Sequence, residues 1–95
     1  MKTPELLLAA NGYVVINFEE YDSKLWLEAT KYLETKLNFS RAGNKVAGLD
    51  EGIFPSFVNG DVCIEAGWDN WSGNYLLSTC NGGDQVLNEL FKRIF

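Results

Sequence analysis

The chain has 95 residues, 46% hydrophobic and 14% aromatic, with thirteen acids against eight bases and a net charge of −5. That composition predicts one globular domain over residues 1–95, with a modest core and a thin stability margin, and excludes a disordered chain. No apolar run nears the ~20 residues of a membrane-spanning helix, and the short run after "MKTPE" falls below the ~7–15 residues of a secretory core, so a cytoplasmic protein is expected.

Thr3 suits an N-cap, Pro4 a first helical position and Gly12 a stop, so residues 4–10 read as a short helix, with an extended segment as the alternative. "YVVINF", residues 13–18, is β-branched and aromatic and reads as a buried strand. A helix follows, capped by Asp22 or Ser23 and ending near Asn38. Its stripe of Leu25, Trp26, Ala29, Tyr32, Leu33 and Leu37 recurs at three- and four-residue steps. Residues 40–45 read as a loop.

Short strands then alternate with turns from Val46 to Cys80, predicting an antiparallel meander of three or four strands. Asn59-Gly60 is a strong hairpin signal, and Asp50-Glu51-Gly52 fits a three-residue loop with its glycine last. Pro55 cannot donate to a ladder, so it belongs at a bulge or with its nitrogen turned from any partner. "NGGDQVLNELFKRIF" reads as a terminal helix with Asp84 as cap, Val86, Leu87, Leu90 and Ile94 inside, and Lys92 and Arg93 in the last turn. The order (α)-β-α-β-β-β(-β)-α predicts an α+β fold, a two-layer sandwich with helices packed on a mainly antiparallel sheet.

A four-residue loop over residues 70–73 would set Trp68 opposite Tyr75, Ala66 opposite Leu77, and Cys63 opposite Cys80. Val62, Ile64, Ala66 and Trp68 would then face the core, and Glu65 and Asp69 the outer sheet face. Trp71, at the loop tip, either folds back as a lid or stands exposed as an interface anchor. The two cysteines are too few for a structural zinc site and are expected to be thiols in a reducing cytosol.

Charge is unevenly spread. Residues 1–45 hold six acids and six bases, whereas residues 46–91 hold seven acids and no base. Such a one-sign field repels nucleic acid and anionic lipid and attracts basic partners. The chain has no histidine, which removes the usual nucleophile pairs and the commonest general base. Neither a phosphate-binding glycine loop nor a nucleotide fingerprint is present. No cofactor, metal or catalytic residue is expected; Asp50, Glu51 and Asp61 are the acids that a metal site would have to gather.

"WDNWSGNYLLSTCNGGDQVLNEL", residues 68–90, resembles the closing part of small bacterial immunity proteins that neutralise polymorphic or contact-dependent growth inhibition toxins. In that family type an aromatic acidic hairpin ending in "WSG-x-Y" runs into a "G-D" capped terminal helix; the likeness covers about a quarter of the chain. It implies a cytoplasmic, non-enzymatic inhibitor of one cognate basic protein, a toxin nuclease domain being one such partner. The expected partner-binding residues are Asp50, Glu51, Asp61, Glu65, Asp69 and Trp71, acting as a monomer or homodimer without direct nucleic-acid or membrane contact. Three other functions compete: an acidic nucleic-acid mimic, a carboxylate-based metal-dependent protein, and a homodimeric structural module.

Overall fold

The computed structural model describes residues 3–94. Strands β1 (Glu5–Leu8) and β2 (Val14–Asn17) form a hairpin; helix α1 (Lys24–Thr35) follows. Strands β3 (Ser40–Ala42), β4 (Val46–Ala47), β5 (Glu51–Asn59), β6 (Val62–Asp69) and β7 (Gly73–Ser78) precede helix α2 (Asn81–Ile94). The sheet runs β1-β2-β7-β6-β5-β3, with β4 also on β5, and each pairing is antiparallel. The expected α+β sandwich is present, and residues 46–78 supply a four-strand meander, β4 to β7.

Both helices lie on one face of the sheet. Ile16, Phe57, Ile64, Ala66 and Leu76 from the strands close on Trp26, Ala29 and Leu33 of α1 and on Leu87 and Leu90 of α2. Trp26 is the hub of the α1 contact: its ring meets Phe18 edge-on at 5.2 Å and Phe54 at 6.2 Å. The Ser23 hydroxyl caps α1 by accepting the Trp26 N–H at 3.1 Å, which settles the choice between Asp22 and Ser23. The helix stops at Thr35, three residues before Asn38.

Five expectations are corrected. Residues 5–8 form a strand rather than a helix, because Leu6 and Leu8 can alternate with Leu7 across a hairpin partner that the local propensity cannot see. Residues 40–42, read as loop, form an edge strand on β5. There Arg41 stacks on the Phe57 ring at 3.9 Å and donates to the Pro55 carbonyl at 2.8 Å and 3.0 Å. The turn before β5 comes earlier than Asp50-Glu51-Gly52, since Gly52 already pairs with Ala47 and Gly48 N–H donates to the Glu51 carbonyl.

The fourth concerns α2, which begins at Asn81. The Asp84 N–H donates to the Cys80 carbonyl, so Cys80 rather than Asp84 occupies the cap position. Gly82 and Gly83 are packing glycines: a Cβ on the first would come within 2.8 Å of Val62 and on the second within 2.5 Å of the Ser78 hydroxyl. They let the first turn of α2 press onto β6 and β7. Asp84 instead accepts the Val14 N–H at 2.9 Å, tying α2 to the start of β2.

Pro55 lies where expected, within a break of register between Phe54 and Phe57. The β5–β6 turn shifts by one residue from the sequence reading. Asn59 pairs with Val62, so Gly60 and Asp61 are the central residues, and only Gly60 has positive φ, at 58°.

Candidate functional site

The second face of the sheet is covered by no helix of the described residues. Register places its side chains in rows across the strands. One row runs Leu7, Val15, Leu77, Glu65, and the next runs Glu5, Asn17, Tyr75, Gly67, Ile53, Val46. Asp69 and Glu51, directly paired, make a third at the sheet end. Among the described residues no lysine or arginine occupies an open-face strand position.

Tyr75 is the centre of this face and was missed by sequence reasoning. The loop between Asp69 and Gly73 has three residues, not four, so Gly67 and not Trp68 is the partner of Tyr75. That single step carries Tyr75 from the core face to the open face. Its ring lies over Gly67, where a Cβ would come 2.9 Å from the ring and 2.4 Å from the Gly52 carbonyl oxygen. Burial against the sheet, then the carboxylates of Glu65, Asp69 and Glu51 in that order, push the Tyr75 phenol above its ordinary value. Burial is the larger cause, and the three carboxylates add a negative field at the middle of the face.

The sheet end is built by hydrogen bonds between two turns. Asp69 accepts the N–H groups of Trp71 and Ser72 at 2.9 Å and 2.6 Å, which folds the hairpin tip. Asn70 donates its side-chain amide to the Asp50 carboxylate at 2.8 Å and its backbone N–H to the Asp50 carbonyl at 3.1 Å. Tyr21 donates its hydroxyl to the Asp69 carbonyl at 2.7 Å. Gly73, with φ 67°, abuts the Glu20 backbone so closely that a Cβ would sit 2.5 Å from it. These contacts fix the tip without covering it: Trp71 remains 79% exposed and Leu49, on the neighbouring turn, 97%. The lid arrangement of Trp71 is therefore not adopted.

Of the six residues expected to bind a partner, Glu51, Glu65 and Asp69 converge around Tyr75, and Asp50 and Trp71 share the sheet end. Asp61 does not join them. It occupies the turn at the other end of β6, an eight-residue strand spanning about 25 Å at ~3.3 Å per residue. Asp50, Glu51 and Asp61 accordingly do not gather, and among the described residues no three acidic or thiol side chains form a metal-ligand group. Leu49 and Tyr75 belong to the surface and carried no signal beyond a turn leucine and a strand tyrosine.

The cysteines are not opposite one another. Both are free thiols; Thr79 donates its hydroxyl to the Cys63 carbonyl at 2.6 Å, and the Cys80 sulfur accepts the Gly83 N–H at 3.4 Å. No helix of the described residues is long and apolar enough to cross a membrane. Comparison with protein-family models, curated proteins and solved structures finds no match.

Proposed function

We propose that this protein is a non-enzymatic inhibitor of a basic protein, an immunity protein acting in the cytoplasm against a cognate toxin domain. The reading is carried by one observation: an uncovered sheet face with three carboxylates around Tyr75 runs into a sheet end where the β6–β7 tip exposes Trp71 and the neighbouring β4–β5 turn exposes Leu49. Carboxylates on such a face steer a cationic partner toward it. Exposed apolar side chains beside them supply the contact that slows dissociation once water is expelled. The likeness of residues 68–90 to toxin-immunity proteins supports the same function from the sequence side.

The test is a pull-down from native cytosol with the tagged protein, washed at low and then high salt, in parallel with Trp71→Ala. One basic protein retained by the wild type through high salt and lost by the variant supports the proposal. Many basic proteins, all released as salt rises, mark a nucleic-acid mimic instead. Equal retention by Trp71→Ala removes the hairpin tip from the binding surface.

A second reading, a homodimer, draws on the edge strand β1, where Leu7 and Leu8 are both exposed. Light scattering at increasing concentration separates it: a constant monomer mass eliminates the dimer.

A further inference from the structure

On the helix side of the same sheet end, Tyr21, Asp22, Lys45, Phe54 and Trp68 line an open cleft of about 330 Å³. Its three rings come from three places in the chain: Tyr21 precedes α1, Phe54 is on β5 and Trp68 on β6. The rings are held. Tyr21 and Trp68 meet edge to face at 5.9 Å and 75°, and the indole of Trp68 lies over Gly52, where a Cβ would come 2.1 Å from Nε1. Asp22, the acidic residue lining the cleft, has φ 48° and its N–H is bonded to the buried Asn74 side chain, which fixes its backbone.

Aromatic faces beside a carboxylate favour a cation. One is already there: the Lys45 ammonium lies 5.5 Å from the Phe54 ring centroid. Lys45 arrives on a stretch in which every residue from 40 to 51 is exposed and whose strand β4 has two residues. The stretch is pinned at β3 by Arg41 and at β4 by its pairing with β5, and Lys45 lies on the exposed connection between them.

We infer that this cleft is a receptor for a cationic side chain, a lysine or arginine of the basic partner, and that Lys45 is the internal occupant the partner displaces. The identity of the incoming chain as a basic protein rests on the function proposed above; the chemistry of the cleft does not. An internal competitor lowers apparent affinity by the fraction of time it holds the site. Removing it therefore strengthens binding without adding a contact.

The experiment needs no partner, so its failure is distinct from failure of the pull-down. Nα-acetyl-lysine methylamide is titrated into the wild type, Lys45→Ala and Lys45→Arg, following the Trp68 indole N–H by nuclear magnetic resonance. The Nε-acetylated form of the same probe serves as the uncharged control. Lys45→Ala is expected to reach half-shift at a probe concentration about threefold or more below the wild type. Lys45→Arg, which keeps the cation, is expected to behave as the wild type, and the acetylated probe to leave the resonance in place. Equal responses in wild type and Lys45→Ala, no response in either, or an equal shift by the acetylated probe each overturn the inference.

Discussion

Trp68 and Tyr75 are the side chains on which the two faces turn. Each ring lies over the glycine paired with it across the strands: Trp68 over Gly52 toward the helices, Tyr75 over Gly67 toward the open face. A glycine opposite an aromatic leaves room for the ring to lie flat on the neighbouring backbone. The sequence shows both glycines and both aromatics, but not which glycine belongs to which ring. That depends on one residue of loop length.

The raised Tyr75 phenol gives a signed expectation. Burial and the Glu65, Asp69 and Glu51 carboxylates disfavour tyrosinate in the folded state. Above the ordinary phenol value of about 10 the unfolded chain therefore releases this proton first. The native state then binds more protons than the unfolded one, so stability falls as pH rises from the unfolded value through the folded one. Below that window the contribution is constant. Ultraviolet titration of the wild type against Tyr75→Phe should place Tyr75 above the ordinary value, and Glu65→Gln should bring it down. An unchanged titration in Glu65→Gln would refute the placement of that carboxylate.

At the level of elements, α1 was legible because its apolar stripe recurs at helical steps and Ser23 lies just before it. The strand β3 was not, having three residues and too few positions for any period to show. The β6–β7 hairpin lies between these cases: its existence was plain, its register was not. Asp69 and Gly73 fix that register. Asp69 takes two N–H groups of the loop, and Gly73 adopts a left-handed backbone against Glu20. Gly73→Ala combines backbone strain with a backbone clash, and is expected to cost about 2–4 kcal/mol in urea denaturation. A loss below about 0.5 kcal/mol, the scale of an ordinary surface change, would mean that the hairpin is held otherwise.

Across the whole molecule, charge and hydrophobicity are sorted by the sheet. One face packs against both helices; the other presents acids with no interspersed base among the described strand positions. Glu51 and Glu65 are exposed and carry no fold contact that Asp69 carries, so they are the residues to reverse. Glu51→Lys with Glu65→Lys is expected to slow association with the proposed basic partner about tenfold at low salt, with dissociation little changed. The difference should shrink as salt is raised. Stopped-flow association rates that match the wild type at low salt would show that the partner approaches another surface.

What the sequence determined by itself was local and additive: the α+β class, the two long helices, the meander, the bulge at Pro55 and the acidic cast of residues 46–91. Each follows from periodicity, backbone restriction or counting, and none requires knowing which segments meet. Tertiary structure alone decided the rest. It paired Tyr75 with Gly67, left Trp71 and Leu49 in solvent and set Glu51 directly beside Asp69, whereas the outward aspect of Glu65 and Asp69 already followed from alternation along β6. These outcomes hang on strand register, and in a sheet of period two a shift of one residue exchanges the faces of every side chain along the strand.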